Sequence, residues 1–223
     1  MSDALFSASS LACLRGHRLV FAGLEFGLNA GDAVLLVGPN GSGKSSLLRL
    51  MALLLRPFRG EFRWAGTEVA EDPDAHRARL RYVGHLDGVK PVLTCHESLA
   101  FWASLDGAAE PTRRAAEALE RVGLERLAAV PGRYLSAGQK RRLNLARLLL
   151  LPAPLWLLDE PTNGLDAAAI ARLEATLAEH RAAGGIVVAS THTPLSLPGA
   201  ATLHLDDFTP ELHDHDHEHG EMA

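Results

Sequence analysis

The sequence contains no apolar run long enough to cross a bilayer. Its most apolar stretch, Leu143 to Leu158, is broken by Asn144, Arg147, Pro152 and Pro154, whereas a spanning helix needs roughly 18 or more uninterrupted apolar residues. A signal-peptide pattern is missing too: Asp3 stands where positive charge belongs, and Arg15 and Arg18 follow the weakly apolar stretch instead of preceding it. These absences place the chain in the cytosol as an expectation, with any membrane contact made through a partner. Cysteine is scarce. Cys13 and Cys95 make no disulfide framework and suit a reducing compartment. Cys95-His96 is not a haem-attachment motif, because Val92 stands where C-x-x-C-H needs its first cysteine. No Lys or Arg follows Asp206, while seven of the 27 acidic residues lie from there onward. The remainder carries 22 basic and 20 acidic residues, and neither part has the concentrated basic face of a nucleic-acid binder. No internal repeat is present.

What remains is a chain of 223 residues with a hydrophobic fraction of 47%, enough for one globular domain with a full core and too short for two ordinary ones. Short apolar runs at Leu11–Leu14 and Leu24–Leu28 read as strands, with turns around Gly16 and Gly23. Asp32 to Val37 is nearly continuous in apolar character, as a strand buried on both faces would be. A Gly-rich turn and a helix from Lys44 to about Leu54 follow, then an alternating strand from Gly60 to Gly66. From about His85 to Leu151 the pattern is mostly helical, with helices over Glu97–Leu105, Pro111–Val122 and Ala137–Leu150. Pro111 suits a first turn and Gly123 a helix end. The buried strands Leu155–Leu158 and Ile186–Ala189 then flank a helix from about Ala167 to Arg181. Strand, crossover helix, strand is the signature of a parallel sheet covered by helices.

Three segments carry chemistry. Gly38, Pro39, Asn40, Gly41, Ser42, Gly43, Lys44 and Ser45 fit G-x-x-x-x-G-K-[ST] between a buried strand and a helix. The glycines allow backbone N–H groups to curl around a phosphate, and the helix N-terminus adds partial positive charge. Lys44 is expected to reach the β- and γ-phosphates of ATP, Ser45 to bind Mg²⁺, and Ser46 to join the phosphate site. Leu155 to Glu160 is an apolar strand ending in two carboxylates, at the sheet edge where such folds bind ligands. Asp159 is expected to hold the Mg²⁺, and Glu160 to orient and deprotonate the attacking water.

The third segment is Leu135-Ser136-Ala137-Gly138-Gln139, about twenty residues before Asp159. It resembles the L-S-G-G-Q signature of ABC ATPases, with Ala137 in place of a glycine. The resemblance runs from about Leu11 to Leu205. It implies a P-loop NTPase of the α/β class: a RecA-like doubly wound parallel sheet, an N-terminal antiparallel β subdomain and a helical signature subdomain. Residues 1–206 would form the ATPase domain, with the helical insert at about 85–151, and 207–223 a disordered acidic tail. The resemblance also implies a head-to-tail homodimer, in which Ser136, Gly138 and Gln139 of one copy touch the nucleotide held by the other. Asp166 would cross that interface in the segment Pro161–Asp166, and His192 would be the switch histidine that contacts the γ-phosphate.

The match departs from the family in two places. The aromatic residue that commonly stacks on adenine aligns with Arg15, whose planar guanidinium can also stack. The lid-loop glutamine aligns with His85. The segment Arg81–Lys90, with Thr191-His192-Thr193-Pro194, resembles the CcmA subfamily, the haem-exporter ATPases of c-type cytochrome maturation. That resemblance, and nothing in composition, implies haem as cargo, the membrane subunits CcmB, CcmC and CcmD as partners, and a peripheral place on the cytoplasmic face of the bacterial inner membrane. Another small exporter ATPase, an iron–sulfur assembly ATPase and a non-catalytic ATP sensor remain as alternatives. In the tail, His213, His215, His217 and His219 alternate with acids; on an extended chain they would share one side and suit Zn, Ni or Cu. The plainer reading is a solvated tail.

Overall fold

The computed structural model describes residues 4–210. The tail histidines, and the calls made on them, lie outside the described residues. In chain order the first elements are β1 (Phe6–Arg15), β2 (Arg18–Leu28), β3 (Ala33–Val37), α1 (Lys44–Met51), β4 (Arg59–Trp64), β5 (Thr67–Glu68), α2 (Pro73–Ala78) and β6 (Leu80–Val83). After them come α3 (Cys95–Leu105), α4 (Pro111–Arg121), α5 (Ala137–Leu145), β7 (Leu155–Asp159), α6 (Ala167–Ala182), β8 (Ile186–Ser190) and β9 (Ala201–His204).

Strands β2-β1-β4-β5 form an antiparallel sheet. The turn expected around Gly16 is present, where Gly16 and His17 close the β1–β2 hairpin. Gly23 makes no turn. It lies inside β2 with φ 69°, beside register shifts between Ala8 and Leu11 and between Leu11 and Cys13. The local sequence signal was that of a bulge, which bends a strand without ending it.

The second sheet, β6-β7-β8-β3-β9, is parallel throughout, as the buried runs require. Its strands alternate their side chains between two cores. Leu36, Leu157 and Val188 face α1 and the antiparallel sheet, meeting Leu47, Leu50, Phe21 and Leu24. Trp156, Leu158, Val187 and Ala189 face Leu173 and Leu177 of α6. A third core joins α3, α4 and α5 through Leu99, Leu119 and Leu143. The start of α3 and both ends of α4 carry recognisable start and stop residues. Thr94 and Glu97 form a capping box at α3, Pro111 opens α4, and Gly123 with φ 68° follows its end. Helix α5 stops at Leu145, short of the expected Leu150, and tightens into a 3₁₀ turn over Ala146–Leu149.

The folded chain also continues past residue 206. Leu205–Phe208 makes a 3₁₀ turn, Leu205 is buried, and Phe208 packs on the core, so the fold absorbs the first residues assigned to the tail. Among the described residues no helix is long and apolar enough to cross a membrane.

Two imidazoles are built into this interior. His76 is fully buried and its Nε2 sits 2.8 Å from the Met51 carbonyl. His180 stacks on Trp156 at 3.8 Å. Burial pushes both below the usual histidine range, so the folded chain keeps them neutral. The unfolded chain takes up protons near pH ~6.5. Their contribution is therefore intact above that pH and declines as pH falls through it, by at most about 1.4 kcal/mol per pH unit for each group. Urea midpoints should match at pH 7.5 and 8.5 and drop at pH 5.5. His76→Gln, which retains a donor to Met51, should show a smaller drop; an unchanged acid dependence would assign the effect elsewhere.

Candidate active site

Strand β3 ends at Val37 in the interior of the parallel sheet, between β8 and β9. The chain then curls through Gly38–Gly43 before α1 begins at Lys44. The antiparallel sheet closes on this loop from above. A Cβ at Gly43, whose φ is 104°, would lie 2.8 Å from Val20 Cγ1 and 2.9 Å from Phe21 Cδ1. Glycine is therefore required twice over, by conformation and by space. Lys44 is buried, and its Nζ donates to the carbonyls of Gly38 at 2.6 Å and Pro39 at 3.0 Å. Burial lowers the Lys44 pKa, while Glu160, Asp159 and Asp206 pull it back up. Lys44 opens α1, and a helix N-terminus favours an anion.

Strands β7 and β8 bring the acidic half of the site to the same sheet edge. Asp159 and Ser190 are register partners, and Ser190 Oγ donates to Asp159 Oδ1 at 2.7 Å. Ser45 Oγ donates to that same oxygen at 3.0 Å, which ties the two motifs together across 114 residues of sequence. Asp159 Oδ2 is buried and, among the described residues, has no hydrogen-bond partner. An orphaned carboxylate oxygen beside a serine hydroxyl is a hard-oxygen donor set of the kind Mg²⁺ takes, so the residues fit the ion the motifs imply.

Glu160 follows with φ 49°, a left-handed conformation that is rare and strained for a residue with a side chain. Its N–H donates to Ser190 O at 3.1 Å and to Ser190 Oγ at 3.0 Å. Three side chains surround the carboxylate. Asn163 Nδ2 donates to Oε2 at 3.1 Å, His85 Nδ1 is 3.7 Å from Oε2, and His192 Nε2 is 3.5 Å from Oε1. His85 and His192, read from separate segments of the sequence, converge on one acid.

Arg15, Asn40, Gly41, Gly43, Lys44, Ser45, Ser46, Glu160 and His192 line one open cleft of about 320 Å³, within the ~300–1,000 Å³ of small-molecule sites. Ser136, Gly138, Gln139 and Asp166 do not line it. Ser136 caps α5 reciprocally with Gln139, through bonds of 2.8 and 3.2 Å. A Cβ at Gly138 would meet the Gly164 carbonyl at 2.6 Å, so the signature lies directly on the segment leading to Asp166. Asp166 itself caps α6 by accepting from Ala169 N at 2.8 Å.

Sequence reasoning missed several neighbours. Arg18 and Val20 share the cleft; Arg18 faces Arg15 across the hairpin, a pairing that a correct register would have revealed. Asp206, the last residue of the expected ATPase domain, is close enough to Gly38 that a Cβ there would lie 3.2 Å from its Oδ1. Asn163 carried no signal beyond its closeness to Glu160. Arg141 is the largest omission: it is 3% exposed and donates to the carbonyls of Asp159 and Glu160.

Comparison with known proteins agrees with this geometry. Residues 21–163 match the family described as ABC transporter. The chain is 63% identical to the cytochrome c biogenesis ATP-binding export protein CcmA of Paramagnetospirillum magneticum, over 93% of this chain and 97% of that one. It is 60% identical to the protein of the same name from Rhodospirillum rubrum, over 94% and 89%. A solved structure described as the ATP-binding subunit of an ABC transporter superposes with a TM-score of 0.76 at 30% identity, covering 84% of this chain and 79% of that one.

Proposed function

The chain belongs to the ABC transporter ATP-binding family, and from that membership we propose that it hydrolyses ATP to drive the exporter used in cytochrome c biogenesis. The reading rests above all on one observation: Lys44, Asp159, Glu160 and His192, drawn from three separate motifs, meet at one sheet edge.

In this reading the triphosphate lies along the loop Gly38–Gly43 at the N-terminus of α1, and Lys44 exchanges the carbonyls of Gly38 and Pro39 for phosphate oxygens. Arg15, with Arg18 beside it, provides a guanidinium surface for the base. Asp159 Oδ2 and Ser45 Oγ would hold Mg²⁺, which when bound neutralises charge on the phosphates. Glu160 accepts a proton from the attacking water, and Asn163 holds its carboxylate in place. His192 and His85 lie where they sense whether that acid and the γ-phosphate are both present.

A single copy leaves Ser136 outside its own cleft, and the N-terminus of α5 favours an anion. Two copies arranged head to tail would bring Ser136, Gly138 and Gln139 of one onto the nucleotide of the other, with Asp166 at the crossing. ATP then closes the pair and hydrolysis opens it. The names carried by the relatives support a membrane partner. We assign CcmB, with CcmC and CcmD, as that partner, haem or a haem-loaded chaperone as cargo, and the cytoplasmic face of the inner membrane as the site of docking.

Deleting the gene and staining membranes for covalently bound haem tests the assignment. Loss of c-type cytochromes, restored by the intact gene and not by Glu160→Gln, is the expected result. Unchanged haem staining in the deletion strain would overturn the export role.

A further inference from the structure

The geometry points to Arg141 as a positioning residue that locks the orientation of Glu160 to the loop carrying His85. This rests on the proposed ATPase reading and adds a mechanical link that none of the recognised motifs contains.

The guanidinium has five N–H donors, and all five are engaged. Nη2 donates to the carbonyls of Asp159 at 2.6 Å and Glu160 at 2.7 Å, and Nε to that of Pro161 at 3.3 Å. Nη1 donates to the Gly84 carbonyl at 2.8 Å and to Asp87 Oδ1 at 3.3 Å. Its acceptors thus fall in two groups, one around Glu160 and one flanking His85. An extended backbone turns successive carbonyls to opposite sides. The left-handed φ of 49° at Glu160 allows the carbonyls of Asp159 and Glu160 to share one nitrogen. Ser190 accepts the Glu160 N–H. The strained residue is therefore held at both its N–H and its carbonyl, and the carbonyl is held by Arg141 of α5.

A displacement of Gly84–Asp87 should consequently be felt at Glu160. The loop is well placed to be moved from outside, because Leu86 is 84% exposed. A ligand-induced shift there reaches the catalytic carboxylate through a rigid planar group rather than through a flexible side chain.

The test uses the full chain with Arg141→Lys, which retains the charge but has only three donors. A nitroxide on Leu86→Cys reports loop mobility; native Cys13 and Cys95 are buried. Amide hydrogen exchange over 159–165 reports the Glu160 segment. Arg141→Lys should mobilise the label and speed exchange over 159–165 together, with 186–190 unchanged. In the assembled transporter kcat should fall about 10–100-fold, as for a mispositioned catalytic group, with the KM for ATP within about threefold. Adding Arg141→Lys to Glu160→Gln should cause no further loss, because residues that act as a unit are non-additive. Asp87→Asn, at a part-exposed partner, should give the same paired loosening at smaller amplitude and serves if Arg141→Lys does not fold. Loosening of one segment alone, or a raised KM at constant kcat, overturns the inference. A wild-type complex without ATPase activity would instead sink the parent reading, while the mobility and exchange data still decide on the tether.

Discussion

Glu160→Gln is expected to leave ATP binding intact and to slow turnover by about 10²–10⁴-fold, the range for loss of a general base. The substitution is nearly isosteric and preserves an oxygen for Asn163 Nδ2, which donates to Oε2 at 3.1 Å. It changes nothing that Arg141 or Ser190 holds, because their contacts are to the backbone of this residue. The loss should therefore appear in kcat, with KM nearly constant, as for an interaction made only in the transition state. Phosphate release by the assembled transporter, beside nucleotide affinity of the isolated chain, separates the two quantities. Turnover close to wild type would remove Glu160 from the role of base.

The second large effect is expected from Ser136→Arg. Ser136 lies outside the cleft of its own chain, so a bulky cation there should leave nucleotide affinity near wild type. In the Glu160→Gln background, where ATP persists, the parent should become a dimer on sizing columns and the double variant should stay monomeric. ATPase activity of Ser136→Arg alone should fall at least about 100-fold, since in the proposed head-to-tail pair the change removes donors aimed at the transferred phosphate. Lost capping by itself costs only about 1 kcal/mol, too little to unfold the chain or explain such a fall. ATP-dependent dimers of the double variant would refute the head-to-tail site.

Much of this was legible in the sequence because the chemistry is local. The loop from Gly38 to Ser45 and the pair Asp159-Glu160 each sit at the end of a continuous apolar strand, and a strand buried on both faces has a strong signature. Short, half-covered elements were not legible. β9 is mostly exposed, and α2 spans only Pro73–Ala78, so neither shows the apolar periodicity that marks a longer element. Gly23 looked like a turn because a glycine with positive φ serves a bulge as well as a hairpin. Arg141 was hidden beside Arg142, which residue type cannot distinguish. Its one signal was position: Arg141, Leu145 and Leu148 recur at helical spacing along a single stripe, and Leu145 and Leu148 are both buried. A charge on an apolar stripe asks what it pairs with, and here the answer is five acceptors.

The left-handed backbone at Glu160 has a consequence beyond catalysis. A side chain there is strained by about 1–3 kcal/mol, and glycine would adopt the same conformation freely. Under the proposed role of Glu160, evolution toward thermal robustness alone would drift to Glu160→Gly and lose the general base, so this position would be one where fitness and durability pull in opposite directions. A laboratory selection that rewards only folding should find that exit early.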